Sequence, residues 1–222
     1  MNSPGWRRNP SPAASADSLV DSLRGLAVSL LSDNMARISG AVGLRPFHDG
    51  TPLTGTAVTV RTRAGDNLAI YRAFAFCRPG DVLVVDGGGA LDQALMGDIM
   101  TRYAESAGLA GVVLDGAIRD VAEIRRRGFP VYARGVVHRG PHKNGPGEIN
   151  VPVSVGGMVV SPGDLVVGDE DGVLAIPPAD AEAVIAGARA QAEKEAAALA
   201  AIAEGRYDLS WVEPHAQGRM AG

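Results

Sequence analysis

Three side chains able to do chemistry stand at one spacing: Asp98, then twenty residues, then the pair Arg119 and Asp120. An arginine fork clamps a carboxylate or an oxyanion through parallel hydrogen bonds, and it stays charged at any working pH. One carboxylate beside it can hold a hard divalent cation, and another can carry a proton. The intervening residues read as a helix over about Asp98 to Ala107, a tight turn at Gly108, and an apolar strand, Leu109 to Leu114. A helix and a returning strand bring the helix start back beside the strand end, so that one pocket can take all three side chains. Gly97 opens this helix. The N–H groups of Ile99 and Met100, in its first turn, have no acceptor within a helix and can hold a substrate carboxylate.

Each of these residues also has a plainer role open to it. Asp98 places a favourable charge at the positive end of a helix dipole. Arg119 can pair with Asp120 or Asp115 for structure alone. Asp120 and Glu123, three apart, have the spacing of a capping box, and an N-cap carboxylate can still bind a metal through water. Asp86-Gly87-Gly88-Gly89 either presents amides to an anion or is a connector; no GK[ST] follows it, so a nucleotide P-loop is unsupported. His48, His138, His142 and His215 show no HxH or HExxH spacing, and no GxSxG occurs. Lys143 sits in a polar loop, whereas a Schiff-base lysine needs a desolvated pocket, so a metal-free aldolase is disfavoured. Oxygen ligands with few protein contacts favour Mg²⁺ or Mn²⁺ over zinc.

The elements around this stretch predict an α/β domain. Asp17 caps a first helix through Leu26, and a second covers Val28 to Arg37. Gly55 to Arg63 alternates as a strand with one wet face, and Leu68 to Phe76 follows as a helix. Arg78-Pro79-Gly80-Asp81 and Ser161-Pro162-Gly163-Asp164 are two similar type II turns, each feeding a buried strand. They are either independent turns or share one architectural role. Gly128-Phe129-Pro130 ends the helix that closes on Arg125-Arg126-Arg127. Val131 to Val137, Val151 to Val153, Met158 to Val160 and Gly172 to Ile176 read as strands. An Ala-rich helix runs from Asp180 to about Ala203; with few large apolar residues, it suits an oligomer arm. The domain spans 17–178, with a C-terminal helix and tail over 179–222, and residues 1–16 read as a disordered tail. Docking of Trp6 and Arg7-Arg8 on a neighbour is the alternative to a loose tail.

The chain has 222 residues, enough for one domain with a sizeable core. A net charge of -4 without a basic stripe argues against nucleic acid as the main ligand. No run reaches the length of a membrane span, and no signal-peptide core opens the chain. The one cysteine, Cys77, excludes an intramolecular disulfide and suits a reducing cytoplasm.

Asp-x20-Arg-Asp, within GDIM…GVVLDGAIRDVAEIRRRGFPVYARG, resembles the signature of the RraA-like proteins, over roughly Leu31 to Pro178. That family includes the metal-dependent pyruvate aldolases acting on 4-hydroxy-4-methyl-2-oxoglutarate and 4-carboxy-4-hydroxy-2-oxoadipate. It also includes RraA regulators that bind ribonuclease E. His142-Lys143-Asn144, Gly147 and Asn150-Val-Pro-Val resemble the aldolase branch. The resemblance implies a layered α/β sandwich of the swivelling β/β/α type, assembled as a trimer or hexamer. It implies Asp120 as the ligand of Mg²⁺ (or Mn²⁺), Arg119 as the enolate stabiliser and Asp98 as the proton carrier. Gly97, Ile99 and Met100 would hold the carboxylate of an oxo acid. Ala192-Glu193-Lys194-Glu195 resembles the C-terminal helix whose glutamate reaches a neighbouring subunit's site, which assigns Glu195 as a base, with Glu193 as its rival. Two departures stand out: Leu95-Met96 precede Gly97 where an aromatic is usual, and the tail after Gly205 reads Arg206-Tyr-Asp-Leu-Ser-Trp211. A non-catalytic ribonuclease E regulator and a metal-enolate lyase on another oxo acid are the competing readings.

Overall fold

The computed structural model describes residues 3–12 and 17–212. Helices α1 (Asp17–Leu23) and α2 (Val28–Asp33) precede a short edge strand, β1 (Arg45–Pro46). Next come β2 (Leu53–Thr62), α3 (Leu68–Ala73), β3 (Asp81–Asp86) and β4 (Ala94–Met96). They are followed by α4 (Asp98–Ser106), β5 (Gly111–Ile118), α5 (Val121–Arg127) and β6 (Val131–Val136). The remainder carries β7 (Gly147–Ile149), β8 (Val153–Val155), β9 (Met158–Val160), β10 (Leu165–Asp169), β11 (Gly172–Ile176) and α6 (Ala181–Ala203).

Nine of these strands make one mixed sheet in the order β1-β6-β5-β3-β2-β10-β11, with β4 beside β5 and β7 beside β2. β2, β3, β5 and β6 are mutually parallel neighbours, and α3, α4 and α5 supply the crossovers that parallel pairing requires. Strand alternation then divides the core. Leu83, Val85, Val112 and Leu114 pack with Ile70, Met100 and Ile124 of the three helices. Val82, Val84 and Val113 pack instead with Val153, Val155 and Met158 of the β8–β9 hairpin. Helices cover one face and the hairpin the other, which gives three layers. Helices α1, α2 and α6 bury a third cluster against Leu165, Val167, Leu174 and Ile176 of β10 and β11.

The two Pro-Gly turns share a role. Gly80 and Gly163 have φ of 85° and 92°, the left-handed value that position requires. Asp81 Oδ2 accepts from the Arg78 N–H at 2.7 Å, and Asp164 Oδ2 from the Ser161 N–H at 2.8 Å. Both deliver their strands to one place, because Asp81 and Leu165 each pair with Thr56, from opposite sides of β2.

Three sequence expectations need correction. β2 has no wet face: Val58 and Val60 pack into the helix-side core and Leu53 and Ala57 into the hairpin-side core, every residue but Arg61 is buried, and Thr59 donates its hydroxyl to the Val151 carbonyl at 2.6 Å. Helix α2 ends at Asp33, short of Arg37, where Ala36 and Arg37 turn left-handed at φ of 58° and 60°. Residues 3–12 are not a loose tail, since they run parallel to β7 and hydrogen-bond to it. The rest of that stretch, and residues 213–222 with His215, lie outside the described residues. Among the described residues no helix is long and apolar enough to cross a membrane.

Candidate active site

A cleft of about 70 Å³ opens where the C-terminal end of β5 meets the start of α4. Its walls are Asn67, Tyr71, Leu95, Met96, Gly97, Ile99, Met100, Arg119, Asp120, Pro141 and Lys143. The helix-turn-strand unit read from the sequence does return as expected. Arg119 donates its N–H to the Met96 carbonyl at 3.0 Å, stitching the end of β5 to the end of β4.

Asp120 is where the local pattern misled. It stands at the N-cap of α5, yet its backbone is left-handed (φ 60°, ψ 36°) and its side chain caps nothing there. A non-glycine residue at positive φ is strained, and such strain gathers at functional sites. The turn swings the carboxylate across to α4, where Oδ2 accepts the Asp98 N–H at 3.0 Å. No capping box forms: Glu123 pairs with Arg126, and at 3.6 Å with Arg102.

Gly97 makes this crossing possible. Its φ of -148° is ordinary extended backbone, so close approach is the constraint. A Cβ there would collide with Asp120 Oδ2 and lie 2.9 Å from Arg119 Cγ. Asp115, the other candidate partner of Arg119, is committed elsewhere, at 2.5 Å from Arg134 Nε and 2.8 Å from the Gly156 N–H. The Arg119–Asp120 pair spans 3.7 Å with both side chains over 40% exposed, and so holds the guanidinium only weakly.

Asp98 carries the clearest sign of a missing partner. Its Oδ2 takes the Arg102 Nε–H at 2.7 Å, while its Oδ1 is buried without a hydrogen-bond partner. Asn67 Oδ1 is in the same state, and its Nδ2 is fixed on the Leu95 carbonyl (3.0 Å) and Met100 Sδ (3.2 Å). Buried polar atoms are nearly always satisfied; Asn67 lines the cleft, so its orphan points to a ligand or water there, whereas Asp98, expected in the same pocket, is not among the lining residues.

Asn67 is the residue the sequence reading missed, having appeared only as part of a turn. Its chain neighbour Asp66 is fully buried. Asp66 Oδ2 accepts from the N–H groups of Asn144 (2.7 Å) and Gly145 (2.9 Å), and its Oδ1 from Leu68 (3.0 Å). Burial pushes the Asp66 carboxyl up, but these three donors and nearby Arg63 outweigh it and leave it below the usual range. The same contacts bring Pro141 and Lys143 to the cleft. The glycine run, by contrast, is a connector. Gly87 and Gly89 donate to the Asp115 carbonyl and Gly88 to Asp86 Oδ1, so no amide is left for an anion.

Glu195 is not in this cleft within one chain. It lies on the exposed half of α6, accepting from Gln191 Nε2 at 3.0 Å, and Gln191 in turn donates to Asp33 of α2. Among the described residues no group of three or more His, Cys, Asp or Glu gathers as a ready-made metal cage.

The model of the RraA-like family (Aldolase/RraA) matches residues 28–175. The chain belongs to the RraA-like family. Among its RraA-like relatives is a protein of Halalkalibacterium halodurans named "Putative 4-hydroxy-4-methyl-2-oxoglutarate aldolase". The two are 38% identical over 179 residues, covering 80% of this chain and 85% of that one. Solved structures agree on the RraA-like α/β fold. An uncharacterized protein of Pseudomonas syringae superposes with a TM-score of 0.77 at 28% identity, covering 87% of this chain and 96% of the other. Streptomyces coelicolor RraAS2, described as an unusual member of the RNase ES inhibitor RraA family, gives 0.76 at 29% identity, covering 83% and 96%.

Proposed function

We propose that the protein is a divalent-metal-dependent pyruvate aldolase acting on 4-hydroxy-2-oxo di- or tricarboxylates, with oxaloacetate decarboxylation as a side activity. The observation that carries this reading is that Arg119, Asp120 and the first turn of α4 line one cleft, with the Asp98 N–H bound to Asp120 Oδ2. The aldolase name of the 38% identical relative supports it.

The donor set fits a hard cation. The Asp120 carboxylate and the Asn67 side chain line the cleft, and the buried Asn67 Oδ1 lacks a partner. Asp120 would hold Mg²⁺ or Mn²⁺, and waters would complete the shell. Bound there, the cation supplies a Lewis acid that polarises the 2-oxo acid. The Ile99 and Met100 amides, at the positive end of α4, hold the substrate carboxylate. A base takes the proton of the C4 hydroxyl, and Glu195 of a second copy is assigned that role. The C3–C4 bond then breaks, C4 becomes a carbonyl, and the electron pair passes to the enolate of pyruvate. Arg119 stabilises the charge on its oxygen, and Asp98, through water, delivers a proton to C3. In oxaloacetate the same bond breaks to release CO₂ into the same enolate. The exposed half of α6, with Leu199 and Ile202 bare, is assigned to the contacts of a trimer or hexamer.

The likeness to RraAS2 favours one second reading, a protein-binding regulator in which the cleft is vestigial. Pyruvate release from both hydroxy-oxo acids and from oxaloacetate, with Mg²⁺ and with EDTA, separates the two. The aldolase reading expects metal-dependent turnover. A folded oligomer with none on all three substrates moves the assignment to a regulator, or to an oxo acid outside the set.

A further inference from the structure

We propose that residues 3–12 are a working part of the site: a strap whose Trp6 is a positioning residue for the loop carrying Lys143. The kinetic part of this inference rests on the aldolase reading above.

The strap is an added strand. Gly147 donates to the Gly5 carbonyl at 2.8 Å, Ile149 to Arg7 at 2.9 Å, and Asn9 to Ile149 at 3.1 Å. This covers the edge of β7 that β2 does not occupy. Side chains reinforce the pairing. Buried Glu148 accepts the Gly5 N–H at 3.1 Å and faces Arg7 at 3.7 Å. Asn9 and Asn150 exchange side-chain-to-carbonyl hydrogen bonds at 2.9 and 3.1 Å.

Trp6 carries this order to the cleft. Its ring covers Gly145 so closely that a Cβ on that glycine would lie 2.7 Å from Cη2, and the Arg72 guanidinium sits 5.9 Å from its centroid. Gly145 and Asn144 are the residues whose amides Asp66 holds. One residue on from Asp66, Asn67 takes the loop again, donating its N–H to the His142 carbonyl at 3.0 Å. The segment 141–145 is thus clamped between Asp66-Asn67 and Trp6, and it presents Pro141 and Lys143 to the cleft. Arg119 and Asp120 stand in the turn between β5 and α5, and Asp98 opens α4. Loss of the strap therefore loosens substrate binding and leaves the bond-breaking groups in place.

The test compares the full chain with a deletion of residues 1–12 and with Trp6→Ala and Trp6→Phe. It reads steady-state kinetics and residue-level amide exchange, with circular dichroism to confirm folding. Trp6→Ala and the deletion should raise KM roughly three- to tenfold while kcat stays within about twofold. Trp6→Phe should recover most of the loss, as should a synthetic peptide of residues 1–12 added to the deleted chain, by strand addition. Amide exchange at Asn144 and Gly145 should quicken in both defective variants. Quickening confined to Gly147 and Ile149, which simply lose their acceptors, with KM unchanged, would overturn the proposal. A fall in kcat alone would also overturn it. Should the full chain turn over none of the oxo acids, the aldolase reading fails, yet the exchange at Asn144 and Gly145 still decides the strap.

Discussion

At the scale of single residues, the site depends on a close approach and a strained turn. Gly97 leaves the space in which the Asp120 carboxylate reaches α4, and Asp120 itself holds a left-handed backbone. Arg119 is restrained only by a long, half-exposed ion pair, so removing it costs chemistry rather than folding. Arg119→Ala should lower kcat roughly 10²- to 10³-fold, the scale of losing one oxyanion donor, with its melting temperature nearly unchanged. Asp120→Asn keeps the shape but loses the anionic ligand. Mn²⁺ titration followed by electron paramagnetic resonance should show binding in wild type and its loss in this variant. Equal Mn²⁺ affinity in the two proteins would remove Asp120 from the metal site.

At the scale of elements, the two Pro-Gly-Asp turns set where β3 and β10 meet β2. Their carboxylates serve the fold at an electrostatic cost. Burial pushes Asp164 up, and the Ser161 N–H only partly offsets it; Asp81 is raised in the same way. A carboxyl whose folded-state pKa lies above its unfolded value binds a proton better when folded. Its contribution is most favourable below the unfolded pKa and is lost as pH rises through the folded one. Asp164→Asn keeps an acceptor for Ser161 without the buried charge. Thermal melts should show it more stable than wild type at pH 7, with the gain shrinking towards about pH 4. A variant less stable at pH 7 would mean that the anionic hydrogen bond outweighs desolvation.

At the scale of the whole molecule, the domain and the proposed base are separate. Helix α6 buries Ala181, Val184, Ile185 and Ala188, and nothing beyond them. Glu195 lies in the exposed half, beside α2 and away from its own cleft. If it serves a second copy, Arg119→Ala and Glu195→Ala chains complement each other. Co-refolded in equal amounts, two inactive variants should recover roughly a quarter of wild-type turnover through random pairing in a cyclic assembly. No recovery in a properly assembled oligomer would rule out a base supplied in trans.

The sequence alone determined what depends on neighbours along the chain. The α4-turn-β5 unit, the two Pro-Gly turns and the span of α6 were legible because hydrophobic period, glycine at positive φ and helix propensity act locally. The Asp-x20-Arg-Asp spacing was legible for the same reason, since one helix and one strand have a fixed return. Contacts distant in sequence were not legible. Alternation in β2 predicted a wet face because nothing local says that helices cover one face of the sheet and the β8–β9 hairpin the other. The capping-box spacing of Asp120 and Glu123 was real, but the carboxylate found the Asp98 N–H across the cleft instead. Asn67 and the strap lay hidden because their meaning rests on partners 28 and about 140 residues away. A side chain's chemistry is written in its type, but what satisfies it is decided only when the tertiary structure brings its partner.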